Sequence, residues 1–328
     1  MNFLGYDLTN INAPLIIAEI SCNHNQELDN VYKLIREAKE ACVDVIKIQL
    51  YTPEELTVST VKYKDGKTLF ELYKQNYMPH EWVPKIFSFC EQHGIAVFSS
   101  VYGLESFKYL ERYKCQAYKI ASFENNDPVF INKILDTNKP VVVSTGMASM
   151  EEIDLINQRN NLILMHCVSK YPCPQTEMNI SRIYNLLEYG IEVGLSDHSI
   201  STLPAQLATA LGVCMIEKHF RLKNVISEDA GWSLNKDQMF KYVGDIHLAA
   251  ECMKKPKADV EYKMREFRRS LYAIKDIQSG DLITLENVAP MRGPYGMEPI
   301  ILKGILGRAV KTFVPAGTPI TREIINGR

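Results

Sequence analysis

The chain has 328 residues, a mass of 37.4 kDa and 46% apolar residues, enough for one large domain and a small second one. A net charge of −2 and a pI near 6.4 give no overall attraction to nucleic acid or to an anionic membrane. No apolar run approaches the ~20 residues that span a bilayer, and the N-terminal MNFLGYDLTN lacks the layout of a signal peptide.

From the N-terminus onward, a short apolar run, a polar residue and a helical stretch recur about eight times, the cycle of a (β/α)₈ barrel. LIIAEI ends on Glu19 and leads into Asn23 and His24; Leu28, Val31, Leu34, Ile35 and Ala38 then recur at helical spacing. VIKIQL presents Lys47 and Gln49. A longer loop, Thr52 to Met78, holds Lys62, Lys64, Asp65, Gly66 and Lys67 and a short helix, LFELYKQ; such loops carry substrate contacts or act as lids. Trp82, Ile86, Phe89 and Cys90 predict a helix that stops at Gly94 before AVFSS, with Ser99 and Ser100. AYKIASFE carries Lys119, Ser122 and Glu124, and Asp127-Pro128 starts the next helix. VVVSTG carries Ser144 and Thr145, and LILMHC carries His166 and Cys167. EVGLSDH carries Ser196, Asp197 and His198, followed by a helix over Thr202 to Leu211. VCMIEKHF carries Glu217, Lys218 and His219, and a helix over Lys236 to Cys252 closes the pattern.

These elements predict an α/β fold, a TIM (β/α)₈ barrel over residues 1–253, with its site at the C-terminal ends of the strands. KKPKADVEYKMREF, residues 254–267, reads as a linker. From 268 to 328 short β runs alternate with the turns SGD, RGP and PAGTPI, predicting a small β-rich domain.

Lys47 and Lys119 lie inside apolar strands, where an ammonium is costly unless it is paired or reaches a ligand. They suit a phosphate or carboxylate, a Schiff base, or pairing with Glu19 or Glu124. His198 and His219 end adjacent strands and can converge on one metal ion, with Glu19 beside them; hydrogen-bonding histidines are the competing expectation. Imidazole with oxygen ligands suits Mn²⁺ or Co²⁺ better than a closed zinc site. Ser144 to Gly146 offers hydroxyl and N–H contacts to an anion. His166 and Cys167 are expected in a buried strand rather than as a nucleophilic pair. The 8 cysteines show no CxxC spacing. Cys42, Cys90, Cys115 and Cys214 are expected as reduced core thiols, and the protein as cytoplasmic and free of disulfides. Arg292 sits in a turn of the small domain, positioned either as a surface charge or as a clamp on an anionic substrate.

The strings IIAEISCNHN, IKIQLYTPEEL, YKIASFE, VVVSTGM, HCVSKYP, VGLSDHS and IEKHF, in this order, resemble the sialic acid synthase family. RSLYAIKDIQSGDLITLENVAPMRGPYG is similar to that family's antifreeze-like (SAF) domain, so the resemblance covers nearly the whole chain. YTPEELT, TLFELYKQNYMPHEW, KIASFENND and SEDAGWSL resemble the branch that makes pseudaminic acid. Ser227, Glu228 and Asp229 stand where other branches carry a Gly-Pro-Asp segment, at the sugar end of the site. The resemblance implies condensation of phosphoenolpyruvate with an amino sugar, here 2,4-diacetamido-2,4,6-trideoxy-L-altrose, with N-acetylneuraminate or legionaminate synthesis as the alternative.

The resemblance also implies residue roles. His198 and His219 would hold a divalent metal, Mn²⁺ first, with Mg²⁺ and Co²⁺ as alternatives; Glu19 would orient water or substrate beside it. Lys47, Ser100, Lys119, Ser122, Ser144 and Ser196 would surround phosphoenolpyruvate. Gln49, Glu124, Tyr171 and Asp229 would face the sugar. Arg292 would reach in from the partner of a domain-swapped homodimer. Ser169 stands where sialic acid synthases often carry asparagine. The competing functions are a class I pyruvate aldolase using Lys47 or Lys119, a barrel synthase of the Kdo or DAHP type that also consumes phosphoenolpyruvate, which the extra domain argues against, and a non-enzymatic glycan- or partner-binding role.

Overall fold

A two-residue hairpin turn opens the chain: Asn2–Phe3 (β1) and Tyr6–Asp7 (β2) pair antiparallel, with Leu4 and Gly5 both at positive φ, as the twist of such a turn requires. Eight parallel strands follow: β3 Leu15–Glu19, β4 Val45–Leu50, β5 Ala96–Val101, β6 Tyr118–Ile120, β7 Val141–Ser144, β8 Leu162–Cys167, β9 Val193–Asp197 and β10 Met215–His219. They close into a barrel in chain order, with β10 pairing back onto β3. The strands are buried almost throughout, as parallel strands covered on both faces must be. This computed structural model describes residues 1–63, 66–156, 159–255 and 261–326; Lys64 and Asp65 of the long loop and positions 256–260 of the linker lie outside the described residues.

Alternate side chains of each strand point to the barrel axis, and this period of two sorts the polar residues. At the N-terminal end the interior is apolar: Phe3 meets Phe98 edge to face at 5.2 Å. In the middle, Gly194 leaves room for its neighbours, because a Cβ there would lie 2.7 Å from Met215 Cγ and 3.1 Å from Met165 Cε. Above that layer the inward side chains turn polar.

The helices expected from the spacing form, with small shifts at their ends. Trp82 lies in the 3₁₀ turn His80–Trp82, ahead of the helix Val83–Gln92. Asp127 caps Pro128–Leu135 by accepting from Phe130 N at 2.9 Å. The helix after β9 is Leu203–Ala210, and the last is Lys236–Met253. The long loop folds into two helices, Pro53–Leu56 and Leu69–Asn76, each opened by a threonine capping box. Cys90, Cys115 and Cys214 are buried as expected, but Cys42 is exposed. It stands at φ 63° in the turn that ends the helix Leu28–Glu40, so its place is set by chain reversal rather than by the core. All eight cysteines are free.

The chain divides into two compact units, Met1–Lys254 and Lys255–Arg328. In the second, Tyr262–Phe267 forms a 3₁₀ turn. Arg269–Ala273 (β11) and Val288–Arg292 (β12) then pair antiparallel. Single bridges such as Ile277 with Val314 and Val310 with Ile325 extend the β framework. Leu271, Ile277, Ile283, Val288, Val310, Val314 and Ile320 fill its core. Among the described residues no helix is long and apolar enough to cross a membrane.

Candidate active site

Thirteen of the fourteen residues expected in the site belong to the barrel unit and lie within its strands or in the segments that follow their C-terminal ends. Arg292 ends β12 in the second unit, exposed and in register with Arg269.

The centre is a chain of buried charges. Lys47 Nζ lies 2.9 Å from Glu19 Oε2 and 3.0 Å from Glu217 Oε2. Lys119 Nζ lies 3.0 Å from the same Glu217 oxygen. Lys47 donates to Ser100 Oγ at 3.2 Å, and Ser196 Oγ donates to Glu217 Oε1 at 2.9 Å. Gln49 Nε2 donates to Glu19 Oε1 at 2.8 Å. The partner of Lys119 is therefore Glu217, not Glu124. Burial pushes the Glu217 carboxyl up, but Lys119 and Lys47 outweigh it and hold the group well below the usual carboxylate range. Burial depresses both lysines, yet they part company. Lys47, facing two carboxylates, ends above its ordinary value. Lys119 has one carboxylate and the repulsion of Lys47, and ends below it.

Sequence reasoning missed the central place of Glu217. The signal was available: Glu217 and His219 are two residues apart on one strand, so they share a face, while Lys218 between them takes the other. The same alternation separates His166 from Cys167. Cys167 Sγ lies 2.9 Å from Ser122 Oγ in the interior, whereas His166 Nε2 bonds Met178 O at 2.8 Å on the outside. The two cannot act as a pair. Ser144 ends β7, and the loop after it is held by Asn125, whose amide donates to Ser144 O at 3.1 Å and Gly146 O at 2.8 Å. A Cβ on Gly146 would collide with Ser122 Oγ and Cys167 Sγ, both at 2.7 Å, and with Ser169 Oγ, so glycine keeps this hydroxyl-rich cradle open. Nothing in the sequence pattern pointed to Asn125.

Closer to the rim the histidines meet. The rings of His198 and His219 are 5.6 Å apart. Val168 O lies 2.8 Å from His198 Nδ1; a carbonyl only accepts, so Nδ1 carries the proton and Nε2 keeps its lone pair. Burial first, then the neighbouring His219, push His198 down to about 3, so at neutral pH it is the uncharged imidazole that a metal requires. His219 Nδ1 is buried and 3.2 Å from Asp229 Oδ2. Asp229 is pushed up by burial but pulled below its ordinary value by His219, Ser21 and Cys22. Cys22, raised by burial and by Asp229, is an inert thiol. Among the described residues no three His, Cys, Asp or Glu side chains are already gathered as a metal cage. Two imidazoles with an acid beside them nonetheless fit an ion whose remaining ligands are substrate or water.

The rim around the histidines is aromatic, with buried polar atoms left open. Tyr171 packs 4.2 Å from His198 and 5.4 Å from Trp232. Tyr51 touches Tyr102 at 5.4 Å and Tyr73 at 5.9 Å; these rings and Trp232 were not expected in the site. Glu124 Oε2, Ser169 Oγ and Trp232 Nε1 are buried without a hydrogen-bond partner among the described residues. Burial pushes Glu124 up to about 8, so near neutrality it is mostly a neutral acid able to donate. Asn23 pins the loop after β10: its amide donates to Phe220 O at 2.8 Å and Ser233 Oγ at 3.0 Å, and its oxygen accepts from Ser227.

Comparison with known proteins identifies the family. The NeuB family model matches residues 34–258, and the SAF domain model matches residues 268–323. Pseudaminic acid synthase of Campylobacter jejuni is 39% identical over 321 residues, 92% of this chain and 94% of that protein. Pseudaminic acid synthase of Helicobacter pylori is 34% identical, covering 96% and 98%. The crystal structure of spore coat polysaccharide biosynthesis protein E from Chromobacterium violaceum covers 96% of this chain and 100% of its own at a TM-score of 0.78. At 24% identity it supports the fold alone. With the family model spanning most of the barrel, and polar strand ends where the motifs require them, the chain belongs to the NeuB family, the sialic acid synthase family, and carries a C-terminal SAF domain.

Proposed function

We propose that this chain is a synthase that condenses phosphoenolpyruvate with 2,4-diacetamido-2,4,6-trideoxy-L-altrose and water to give pseudaminic acid and phosphate. The likeness to two pseudaminic acid synthases over more than nine-tenths of the chain supports the substrate. The observation that carries the chemistry is the buried chain Glu19–Lys47–Glu217–Lys119. Two ammoniums side by side in the dry centre of a barrel suit the phosphate and carboxylate of phosphoenolpyruvate. Ser100, Ser122, Ser144 and Ser196 supply hydroxyls around it.

A divalent ion, Mn²⁺ by preference, held by His198 and His219, supplies Lewis-acid polarisation of the sugar aldehyde when bound. Carbon 3 of phosphoenolpyruvate forms a bond to the aldehyde carbon, whose oxygen takes up a proton and becomes a hydroxyl. Positive charge develops at carbon 2, and water adds there and gives up a proton. Glu19, fixed by Gln49 and Lys47, orients that water. The C–O bond at carbon 2 then breaks as the new hydroxyl there gives up its proton and becomes the ketone oxygen, and phosphate leaves with the bridging oxygen. Lys47 and Lys119 stabilise the charge that gathers on it. Gln49, Glu124, Tyr171 and Asp229 face the sugar, and Arg292 reaches it from the partner in a domain-swapped homodimer. The enzyme works in the cytoplasm.

The test is phosphate release with phosphoenolpyruvate, Mn²⁺ and a panel of amino sugars. The altrose-configured sugar should give the highest kcat/KM, and ¹⁸O in the bridging position should appear in phosphate. A preference for N-acetylmannosamine or a legionaminate precursor would keep the reaction and change the sugar; an imine trapped by borohydride would replace the reaction with an aldolase's.

A further inference from the structure

Lys218 lies between Glu217 and His219 but points away from the barrel axis, and it is fully buried. Its Nζ donates to Asp197 O at 3.0 Å and to Ser199 O, the carbonyls of the two residues that flank His198. Asp197 Oδ2, 3.6 Å away, supplies the counter-charge and accepts from Tyr242 OH at 2.7 Å. The Tyr242 ring faces the ammonium at 5.7 Å. Asp197 Oδ1 also accepts from Ser199 N at 2.8 Å, which folds the backbone tightly around His198.

A buried ammonium costs several kcal/mol to desolvate, and apolar side chains of similar volume often stabilise a fold as well or better. Filling the gap between β10 and the helix Lys236–Met253 thus does not by itself call for lysine. The distinctive feature is connectivity: Lys218 is covalently next to one histidine and hydrogen-bonded to the backbone on both sides of the other.

We propose that Lys218 is a positioning residue that sets the separation and orientation of His198 and His219, and thereby the affinity of the site for its divalent ion. It rests on the assignment of those histidines to the metal. Replacement of groups that orient metal-ligating histidines typically weakens metal binding about 10–100-fold.

The test uses the full chain stripped of metal. Lys218→Met should weaken the Kd for Mn²⁺ by at least about tenfold while leaving the Kd for phosphoenolpyruvate, measured with chelator present, within about twofold. An unchanged Mn²⁺ Kd, or equal weakening of both ligands, overturns the proposal; the second result would mean a general loss of structure. Should Lys218→Met fail to fold, Tyr242→Phe keeps the lysine and removes the phenol that steadies Asp197. It should weaken Mn²⁺ alone by a smaller factor, and an unchanged Kd there overturns the proposal. A metal-free readout separates failure of the metal assignment from failure of the positioning role. In the apoprotein the His198 Nδ1–H bonded to Val168 O should give a downfield proton resonance, lost or broadened in Lys218→Met or, if that variant does not fold, in Tyr242→Phe. Its persistence in the variant overturns the positioning role whether or not the wild type binds Mn²⁺.

Discussion

Lys119 and Glu217 form a buried ion pair across the barrel, Nζ to Oε2 at 3.0 Å, with each side chain almost wholly removed from solvent. Because Lys47 shares the same oxygen, one carboxylate neutralises part of two ammoniums before any substrate arrives. Glu217→Gln should therefore lower the stability of the ligand-free protein by about 3–5 kcal/mol, the usual cost of leaving buried charge uncompensated. Phosphoenolpyruvate should stabilise the variant more than the wild type, since its charge replaces the missing one. Equal ligand-induced gains in denaturant melts of the two proteins would refute this.

Chelation should abolish turnover, and Mn²⁺ should restore it. His219→Ala should keep the circular dichroism spectrum of the wild type and bind Mn²⁺ weakly in calorimetry. Full activity of a metal-stripped His219→Ala protein would remove both histidines from the metal site.

Glu124 makes stability depend on pH. Burial raises its pKa from 4.5 in the unfolded chain to about 8 in the folded one. The folded state then binds the extra proton, so the contribution is complete below about 4.5 and is lost as pH rises through about 8. Glu124→Gln should flatten the decline of unfolding free energy across that window, measured by denaturant titration at several pH values. The same slope in variant and wild type would show that the carboxyl is ionised when buried.

Gly194→Ala places a methyl group 2.7 Å from Met215 Cγ and 3.1 Å from Met165 Cε. Overpacking of this kind costs about 1–3 kcal/mol. Thermal melting should show the loss, and an unchanged midpoint would mean that the two methionines move aside freely.

If the small unit crosses to a partner, Arg292→Ala should impair sugar use with the barrel intact. Mixing it with Lys119→Ala should restore part of the activity, since one site of each mixed dimer combines two unmutated parts. Subunit exchange is checked first by mass spectrometry. With exchange established, absence of complementation would mean that Arg292 acts within its own chain or not at all.

Much of the barrel was legible because each strand is an apolar run that stops at a polar residue, and each helix carries its own spacing and caps. Asp127-Pro128 is a case where a dipeptide alone located a helix start. The depth of each polar residue was harder to read. In MIEKH three consecutive polar residues divide between interior and exterior, and only alternation counted from His219 assigns Glu217 to the charge chain and Lys218 to the outside. Asn125 and Trp232 had no periodic signal, because they act from loops whose course depends on tertiary contacts. Cys42 was misread as core because its helix continues the apolar spacing up to the turn that exposes it.

The layering of the barrel interior has a kinetic meaning. Phe3 and Phe98 pack together, both buried, at the far end, so among the described residues the axis opens toward the rim. Glu217 pairs in register with Ile17, two positions below the pairing of His219 with Glu19. If phosphoenolpyruvate sits on the lysines and the sugar on the histidines nearer the rim, a bound sugar obstructs the way in. Substrates should load in a compulsory order, phosphoenolpyruvate before sugar. Excess sugar should then trap the enzyme in a dead-end complex, visible as inhibition that rising phosphoenolpyruvate relieves.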